Sequence, residues 1–455
     1  DDPEWETCPD QSRAPFLPRA VGVWSSSAAL ADIFIEDSSG VHAARTWVIA
    51  PDADSLRQRW RLLRDETDPE RKEVLFYPTL RNGEPADRHT RKVVRDGLPG
   101  HEFRNYTVAA DTGEAVQPVR YGFRSLDRQW IIPDNRLLLS ARPKLWAVAG
   151  GQQVFVTALS SRAPGPGPAM SFAADPPDND HFQGSFSGRV FPLWADSGAT
   201  APNLRPALLA RLTRDLGVSV TAADFMAYIA AVAAHPAYTA RFQSDLVQPG
   251  LRIPLAARAA TFREAVRLGR RVIWLHTYGE RFADPADGRP AGPPRAPSGP
   301  TMPSGGAIST DPAKFPDELR YDATARRLYV GEGYIDHVPQ AVRDYEVSGR
   351  NVLDQWFSYR RRDRSRPIIG DRRPPSPLEK VQPESWPSVY TEDLLNLLHV
   401  LCLLVELEPE QAQLLEDICT GPLIDAEVLR AEGIFDDDSA AVSRPGDDRQ
   451  DEFAF

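Results

Sequence analysis

The sequence predicts an α+β fold, with a mixed strand-and-helix lobe, a central helical block and a C-terminal helical pair. Short runs of β-branched and aromatic residues, separated by turn residues, recur in the first 160 positions and are typical of strands. Segments with apolar residues at helical spacing are concentrated between positions 203 and 278. Strands and helices do not alternate regularly along the chain, which argues against a dinucleotide-binding fold with a parallel sheet.

The 455-residue chain is long enough for two to four domains, at roughly 100–200 residues per domain. Shifts in composition divide it into five predicted segments. They are a mixed α/β N-terminal lobe (1–160), a loop-rich segment plus helical block (161–283), a Pro/Gly linker or loop (284–311), a strand-containing segment with an arginine-rich patch and the C-terminal helices (312–424), and an acidic tail (425–455). We expect the tail, with ten acids and three arginines, to be disordered.

In the N-terminal lobe, strand-like runs cover 47–49, 129–132 and 153–157. The second of these runs ends at a turn that contains proline, aspartate and asparagine. A helix is predicted over 54–64, shortly after Pro51, because proline is favoured near the beginning of a helix. The lobe is therefore predicted to combine strands with at least one helix.

The helical block is predicted from periodic apolar residues over 203–216, 225–234 and 261–278. Thr221 and the acid three positions later form a candidate capping box for the second helix. Gly269 is a candidate bend in the third. The aromatic side chains of these helices recur at helical spacing, so we interpret them as core rather than as a surface for stacking bases.

The last ordered elements are predicted to be short strands followed by two helices. Strands are predicted at 318–321, 327–330 and 334–335, where glycines separate them. Helices are predicted at 391–407 and 409–419, the second beginning at a proline.

Charge is unevenly distributed along the chain. The formal net charge is −11, of which −7 lies in the tail, whereas residues 350–373 carry eight arginines against three aspartates. Salt screens charges beyond about 8 Å at physiological ionic strength, so the local patch matters more for a nucleic-acid partner than the global charge does. Arginine suits such a partner, since its planar fork makes bidentate contacts with phosphates and guanine edges.

Cysteine usage and hydropathy indicate a cytoplasmic protein without a membrane span. The cysteines Cys8, Cys402 and Cys419 are too few and too scattered for a disulfide framework or a four-cysteine zinc site. The longest apolar run, 394–407, is interrupted by polar residues and is shorter than the about 18–20 residues that a bilayer requires.

Motifs for several enzyme classes are missing. None of the lysines follows a glycine, which excludes a Walker-type ATP site, and the histidines are scattered singly. We interpret His276, which has aromatic neighbours, as structural. Two weak matches remain as an alternative: a nuclease-like pattern that includes Glu70 and Lys72, and a base-amine-binding loop at 175–178. In the loop an aspartate stands where an aromatic residue is needed, so we interpret both as chance similarities.

Longer segments resemble a known family. In chain order they are FRSLDRQWI (123–131), FPLW (191–194), YIAAVAAHPAY (228–238), RIPL (252–255), LGRRVIWLH (268–276) and YEVSGRNVLDQWFSYR (345–360). Together, over roughly residues 20–425, they resemble the C-terminal specificity (target-recognition) region of type ISP restriction-modification enzymes and adenine-specific DNA methyltransferases. Ser125 and Leu126 depart from the usual proline and phenylalanine of the first segment, which affects the expected loop geometry there.

The resemblance implies the DNA-reading part of such an enzyme, with the N-terminal lobe as a recognition lobe. In that family one polypeptide carries nuclease, helicase-like ATPase, methyltransferase and target-recognition parts. The ATPase signature, the methyltransferase cofactor loop and the catalytic tetrapeptide are missing from this sequence. We therefore expect no catalytic site and no cofactor in this chain, S-adenosylmethionine in an associated methyltransferase domain or subunit, and a role in phage defence. The expected partner is double-stranded DNA.

The residues predicted to bind DNA are all arginines. They are Arg360, Arg361, Arg362, Arg364, Arg366, Arg372 and Arg373 in the patch, and Arg124 and Arg128 in the first matching segment. The patch arginines could instead pair with the acidic tail or with Glu379 and Glu384, and Arg124 and Arg128 could form a structural bridge with Asp127 under Trp130. A rival function is a protein-interaction module, in which the patch and the tail dock a partner subunit.

Overall fold

The computed structural model describes residues 22–81, 83–85, 89–94, 97–98, 106–159, 163–182, 188–247, 250–362, 374 and 376–435. It contains helices and several small antiparallel sheets, with 41% helix and 18% strand, which confirms the α+β class.

The described helices range from single turns of four residues to one helix of 33 residues. They are α1 (Val23–Ser26), α2 (Leu30–Ile33), α3 (Ala53–Asp65), α4 (Pro69–Phe76), α5 (Pro143–Ala147), α6 (Pro206–Leu216), α7 (Ala222–Ala233), α8 (Pro236–Arg241), α9 (Ala259–His276), α10 (Gln340–Arg343), α11 (Val352–Ser358), α12 (Ser388–Thr420) and α13 (Ala426–Ala431).

Most strands are two to six residues long. They are β1 (Ala28–Ala29), β2 (Ser38–Ser39), β3 (Ile49–Ala50), β4 (Leu80–Arg81), β5 (Glu84–Pro85), β6 (Val119–Arg124), β7 (Asp127–Ile131), β8 (Phe155–Leu159), β9 (Met170–Ala173), β10 (Gly188–Pro192), β11 (Arg252–Ile253), β12 (Leu255–Ala256), β13 (Leu319–Asp322), β14 (Arg327–Val330), β15 (Gly333–Ile335), β16 (Glu346–Val347), β17 (Arg350–Asn351) and β18 (Leu423–Ile424). The larger sheets have the orders β3-β7-β6, β2-β10-β8-β9 and β13-β14-β15.

The N-terminal lobe packs α3 against the β3-β7-β6 sheet. The helix begins where the carboxylate of Asp52 accepts the backbone N–H of Ser55, a side-chain N-cap. Leu56, Trp60 and Leu63 recur on one helical face and are buried in the lobe's core. The predicted helix and the strands predicted at 129–132 and 153–157 are therefore present, with ends shifted by one or two residues. The strand predicted at 47–49 is wrong for its first two residues, because Thr46–Val48 forms a 3-10 helix and the strand covers only Ile49–Ala50.

The helical block is built on a close crossing of α7 and α9. Thr221 and Asp224 form the predicted capping box of α7, which is buried along most of its length. Gly269, the candidate bend, lies inside α9, which is continuous from Ala259 to His276, at the point where α9 crosses α7. A Cβ there would lie 1.6 Å from the backbone oxygen of Ala227, so only glycine permits this approach.

The predicted C-terminal helical pair is a single helix. Pro409 lies inside α12, and the helix continues for 33 residues from Ser388 to Thr420. Pro409 itself is exposed, and α12 contacts α7, α8 and α9, so packing keeps the helix continuous across the residue that suggested a break. By length and composition α12 could cross a membrane, but 61% of its most apolar window is buried inside the chain, as in a core helix.

The predicted linker or loop over 284–311 is in contact with the helices. The indole nitrogen of Trp274 donates to the oxygen of Pro290, and the N–H of Ala296 donates to Nδ1 of His399 on α12. The five-segment division itself stays a prediction. The expectation of disorder is wrong for the beginning of the acidic tail, because Ala426–Ala431 forms α13 and packs Leu429 into the core. The tail from position 436 on lies outside the described residues.

Candidate nucleic-acid interface

A tight hairpin connects β6 and β7 inside the first matching segment. Arg124 pairs with Asp127 across the strands, so the turn consists of Ser125 and Leu126 alone. Leu126 adopts a left-handed backbone conformation with φ 60°, its side chain is buried, and its oxygen accepts a hydrogen bond from the Tyr278 hydroxyl at 2.6 Å. The two residues that depart from the family pattern therefore form a turn that its neighbours hold in place.

Arg124 is held inside the molecule. Its Nη1 donates to Oδ1 of Asp178 at 2.7 Å, and its guanidinium lies 3.9 Å from the Phe123 ring centroid. The other carboxylate oxygen of Asp178 accepts the hydroxyl of Tyr121 at 2.7 Å. Burial and the Asp178 charge raise the pKa of Tyr121, which therefore stays a hydrogen-bond donor.

Arg128 extends from β7 over the end of α9. Its guanidinium lies 4.2 Å from the Tyr278 ring centroid and forms an ion pair with Glu280. The side chains of Arg128 and Glu280 are 19% and 42% exposed, so this pair lies at the surface. Both arginines of the segment thus have acidic partners, as the structural alternative requires, but neither partner is Asp127.

Asp127 is instead the partner of Arg360. The Nη2 of Arg360 lies 2.8 Å from Oδ1 of Asp127, with the two side chains 0% and 2% exposed. The guanidinium lies 4.0 Å from the Trp356 ring centroid and donates to that residue's backbone oxygen. In this conformation Arg360 has no surface with which to touch DNA. It connects the end of α11 to the hairpin.

The rest of the arginine-rich patch begins at the end of α11. Arg362 is exposed and its backbone N–H donates to the oxygen of Pro316, while Arg361 is half-buried. Four predicted contacts lie outside the described residues: Arg364, Arg366, Arg372 and Arg373. DNA contact by any arginine of the set stays a prediction.

The structure brings three predicted arginines together at what we call the hairpin junction. It consists of the β6–β7 turn, the segment 174–182, the residues 276–281 that follow α9, the end of α11 and the first turns of α12. The N–H of Gly122 donates to the oxygen of Pro176, and the N–H of Asp178 donates to the oxygen of Gly122, so the segment 174–182 runs along β6 as an added strand.

Two charged residues of the junction, Arg120 and Asp393, were not singled out from the sequence, and a third, Asp175, belongs to the loop 175–178 that was interpreted as a chance similarity. Arg120 lies opposite Trp130 in the strand register, with its guanidinium carbon 4.5 Å from the indole centroid. Asp175 and Asp393 each have a buried Oδ2 without a hydrogen-bond partner among the described residues. Burial is the main cause that raises the pKa of both carboxyls. The sequence could have indicated Arg120 if β6 had been predicted as the strand that pairs with β7, because Arg120 would then lie opposite Trp130.

The two weak enzyme matches do not assemble into sites. Asp178 bonds to Tyr121 and Arg124, and Lys72 is buried with its Nζ donating to the oxygen of Arg64, whereas Glu70 on the same helix is exposed. Across the part of the chain that the structure describes, no group of three or more His, Cys, Asp or Glu side chains is placed to hold a metal ion.

Comparison of the sequence with known protein families identifies the family of this chain. The family model described as the Type ISP C-terminal specificity domain matches residues 32–397. No curated protein sequence matches the chain significantly.

Three solved structures share the fold. One is a nuclease-deletion mutant of the Type ISP restriction-modification enzyme LlaGI in complex with a DNA substrate mimic, with TM-score 0.52, 16% identity, and coverage of 85% of this chain and 29% of that one. The DrdV–DNA complex, solved by cryoEM, has TM-score 0.56, 17% identity, and coverage of 86% and 36%. The ATP-dependent Type ISP restriction-modification enzyme LlaBIII bound to DNA has TM-score 0.55, 12% identity, and coverage of 86% and 25%. The chain thus spans between a quarter and about a third of these proteins.

Proposed function

Because the chain belongs to the Type ISP C-terminal specificity domain family, we propose that it binds double-stranded DNA in a sequence-specific manner as the target-recognition part of a restriction-modification system. The family match over residues 32–397 carries the proposal. The solved structures with the same fold are DNA complexes of larger proteins, which supports DNA as the partner.

The proposal includes a catalytic partner outside this chain. An adenine-specific DNA methyltransferase domain or subunit would hold S-adenosylmethionine, and the assembly would act in the cytoplasm as part of phage defence. The chain itself would have no catalytic centre. The motif pattern supports this division of labour, because the segments of this sequence resemble those that follow the catalytic motifs of such methyltransferases.

The DNA-binding surface in this proposal begins where α11 ends. Arg362 is exposed there, and Arg364 and Arg366 follow within four positions. Arginines that neutralise phosphates release counterions, which gives affinity without sequence choice. The buried ion pair of Arg360 with Asp127 fixes the end of α11, from which this surface begins.

The test is duplex binding at several salt concentrations, with the full chain and with a variant in which Arg361, Arg362, Arg364 and Arg366 are alanine. For B-DNA each phosphate contact contributes about 0.9 to the slope of log binding constant against log salt. If most of the four arginines contact phosphates, the slope should decrease by roughly 2–4 and the affinity should fall at least about tenfold at low salt.

The matched control replaces four exposed arginines elsewhere, Arg71 on α4 and Arg214, Arg258 and Arg263 near or on helices of the helical block. The control should bind like the unchanged chain. Equal losses in the control and the patch variant would contradict the surface assignment, because binding would then depend on overall charge. A chain that binds no duplex at any salt, yet co-purifies with another protein, would favour the interaction module and overturn the proposal.

A further inference from the structure

Next to the predicted arginines, the hairpin junction contains charged groups with no partner. Arg120 makes no hydrogen bond or ion pair to a described residue; its guanidinium only stacks on Trp130. Asp175 and Asp393 each bury one carboxylate oxygen without a donor. All four side chains are partly exposed, so the site is open at its outer edge.

These groups belong to one site although they come from three parts of the chain. A Cβ on Gly122, two positions after Arg120, would lie 3.4 Å from the backbone oxygen of Asp175, so the Asp175 segment passes over this face of the hairpin. Several arginines oppose the effect of burial and lower the pKa of these carboxyls: Arg128, Arg281 and Arg120 act on Asp175, and Arg360, Arg120 and Arg128 act on Asp393, so Arg120, like Arg128, is common to both acids. We call Arg120, Trp130, Asp175 and Asp393 the junction site.

Unsatisfied buried polar atoms need an explanation, since folded proteins pair nearly all of them. Arg128 and Arg360 already have their acids, Glu280 and Asp127, so neither is available to the two unpartnered oxygens. Among the described residues, the hairpin junction holds further unsatisfied buried atoms: Nε of Arg360, Oδ1 of Asn179, and Nε2 of His181 and His276. The same region thus offers donors and acceptors together.

The charges of the junction site restrict its ligand. A phosphate offers only acceptors, so it would leave the acceptor oxygens of the two carboxylates beside Arg120 without a donor. A bare cation would leave the planar fork of Arg120 unused. A ligand that presents acceptors and donors side by side satisfies both groups. A guanine–cytosine pair does so in the major groove, where guanine offers O6 and N7 to arginine and cytosine offers its N4 amino group to a carboxylate.

We propose that the junction site reads a guanine–cytosine base pair, with Arg120 donating to the guanine edge and Asp175 or Asp393 accepting from the cytosine amino group. This inference rests on the proposed function, because it requires that the chain binds duplex DNA. Trp130 holds the guanidinium plane of Arg120 on one side, which reduces the freedom that the arginine loses when it forms two parallel hydrogen bonds.

The experiment selects preferred sequences from a randomised duplex library with the full chain and with the variants Arg120→Ala and Arg120→Lys. Lysine keeps the charge but cannot form the bidentate contact. Both variants should lose the preference for guanine–cytosine at one position of the selected sequence, by roughly 5- to 150-fold in relative affinity. Binding to non-specific duplex should change little, and the salt slope should fall by about 1 or less.

Two further variants complete the test. Asp175→Asn and Asp393→Asn keep the shape of each side chain, and the one that contacts cytosine should change the preferred base at the same position as Arg120→Lys. The control is Arg326→Ala, an exposed arginine outside the junction, which should leave every preference unchanged. Thermal unfolding of each variant verifies that it is folded.

The outcomes separate the inference from the proposed function. Suppose that the unchanged chain selects a sequence and that the folded Arg120→Lys variant selects the same sequence with the same strength. The junction site then does not read bases, and the inference is wrong. If the unchanged chain enriches no sequence and binds no duplex, the proposed function itself is wrong. A shifted preference at one position in both arginine variants supports the inference.

Discussion

At the scale of single residues, the structure separates arginines that support the surface from arginines that could form it. Arg360 is the clearest case. The sequence places it at the beginning of a run of arginines, but the fold turns it inward against Asp127, while Arg362 two positions later stays exposed. A charge count along the sequence cannot distinguish these two orientations, because the direction of a side chain depends on which helix end and which hairpin meet it.

Removing Arg360 should destabilise the protein. The substitution Arg360→Ala leaves the buried carboxylate of Asp127 without its charged partner, and such losses cost about 3–5 kcal/mol of the free energy of unfolding. Denaturant unfolding measures the loss. The double variant Arg360→Met with Asp127→Asn should lose less free energy of unfolding than the single variants Arg360→Met and Asp127→Asn lose together. The reason is that the double variant leaves no buried charge unpaired.

The control for this prediction is Arg362→Ala, an exposed substitution that should change the free energy of unfolding by less than about 0.5 kcal/mol. A chain that stays as stable with Arg360→Ala as with Arg362→Ala, but loses DNA affinity, would show that Arg360 acts at the DNA surface and not as a buried partner.

At the scale of elements, local patterns predicted most helices that have a clear apolar face. The predicted helix 54–64 is observed as α3, and the predicted capping box begins α7. Pro409 misled the prediction, since a proline in the interior of a helix usually ends or bends it. The contacts of α12 with α7, α8, α9 and α10 override that local preference, and such long-range contacts leave no pattern in the local sequence.

Gly269 offers a test of how the helical block is assembled. The substitution Gly269→Ala should favour helix formation by about 1 kcal/mol, yet its Cβ would overlap the backbone oxygen of Ala227. Overpacking typically costs about 1–3 kcal/mol of the free energy of unfolding. A clash with backbone atoms should cost at least the upper value, because they move less easily than a side chain. We therefore expect a net loss of stability. Thermal or denaturant unfolding measures it.

The matched control is Gly151→Ala, which adds the same methyl group where no atom lies within 4 Å. It should leave stability nearly unchanged. If Gly269→Ala were as stable as the control or more so, the close crossing of α7 and α9 would be wrong.

At the scale of the whole molecule, four of the described histidines are buried: His181, His235, His276 and His399. Burial is the main cause that lowers the pKa of His276 to about 3 and the pKa values of His181 and His235 to about 4. The interpretation of His276 as structural agrees with its buried position beneath the four-stranded sheet, where its Nδ1 accepts the N–H of Phe172 at 3.3 Å.

These histidines should make the protein sensitive to mild acid. The unfolded chain takes up a proton at each histidine as the pH falls below about 6.5, whereas the buried imidazole of His276 stays neutral down to about 3. Acidification over that interval therefore favours unfolding. Between pH 7 and pH 5, His276 alone should lower the free energy of unfolding by about 2 kcal/mol.

The measurement compares denaturant unfolding of the unchanged chain and of His276→Gln at pH 7 and at pH 5. The stability difference between the two proteins should shift in favour of the variant by about 2 kcal/mol on acidification. The exposed His337 provides the control, since His337→Gln should show no such shift. An identical pH dependence of all three proteins would contradict the burial of His276 as a neutral imidazole.

The sequence by itself determined the α+β class, most of the long helices and the family, because periodicity, capping residues and ordered motifs are local properties of the chain. It also predicted the region of the site, since Arg124, Arg128 and Arg360 do meet at one junction. Only the tertiary structure decided which acid each arginine pairs with. It also decided that, among the described residues, Arg120 has no ion pair and Asp175 and Asp393 each have one oxygen without a donor. The physical reason is that ion pairing and burial depend on distances between segments far apart in the sequence, and these distances exist only after the segments have packed.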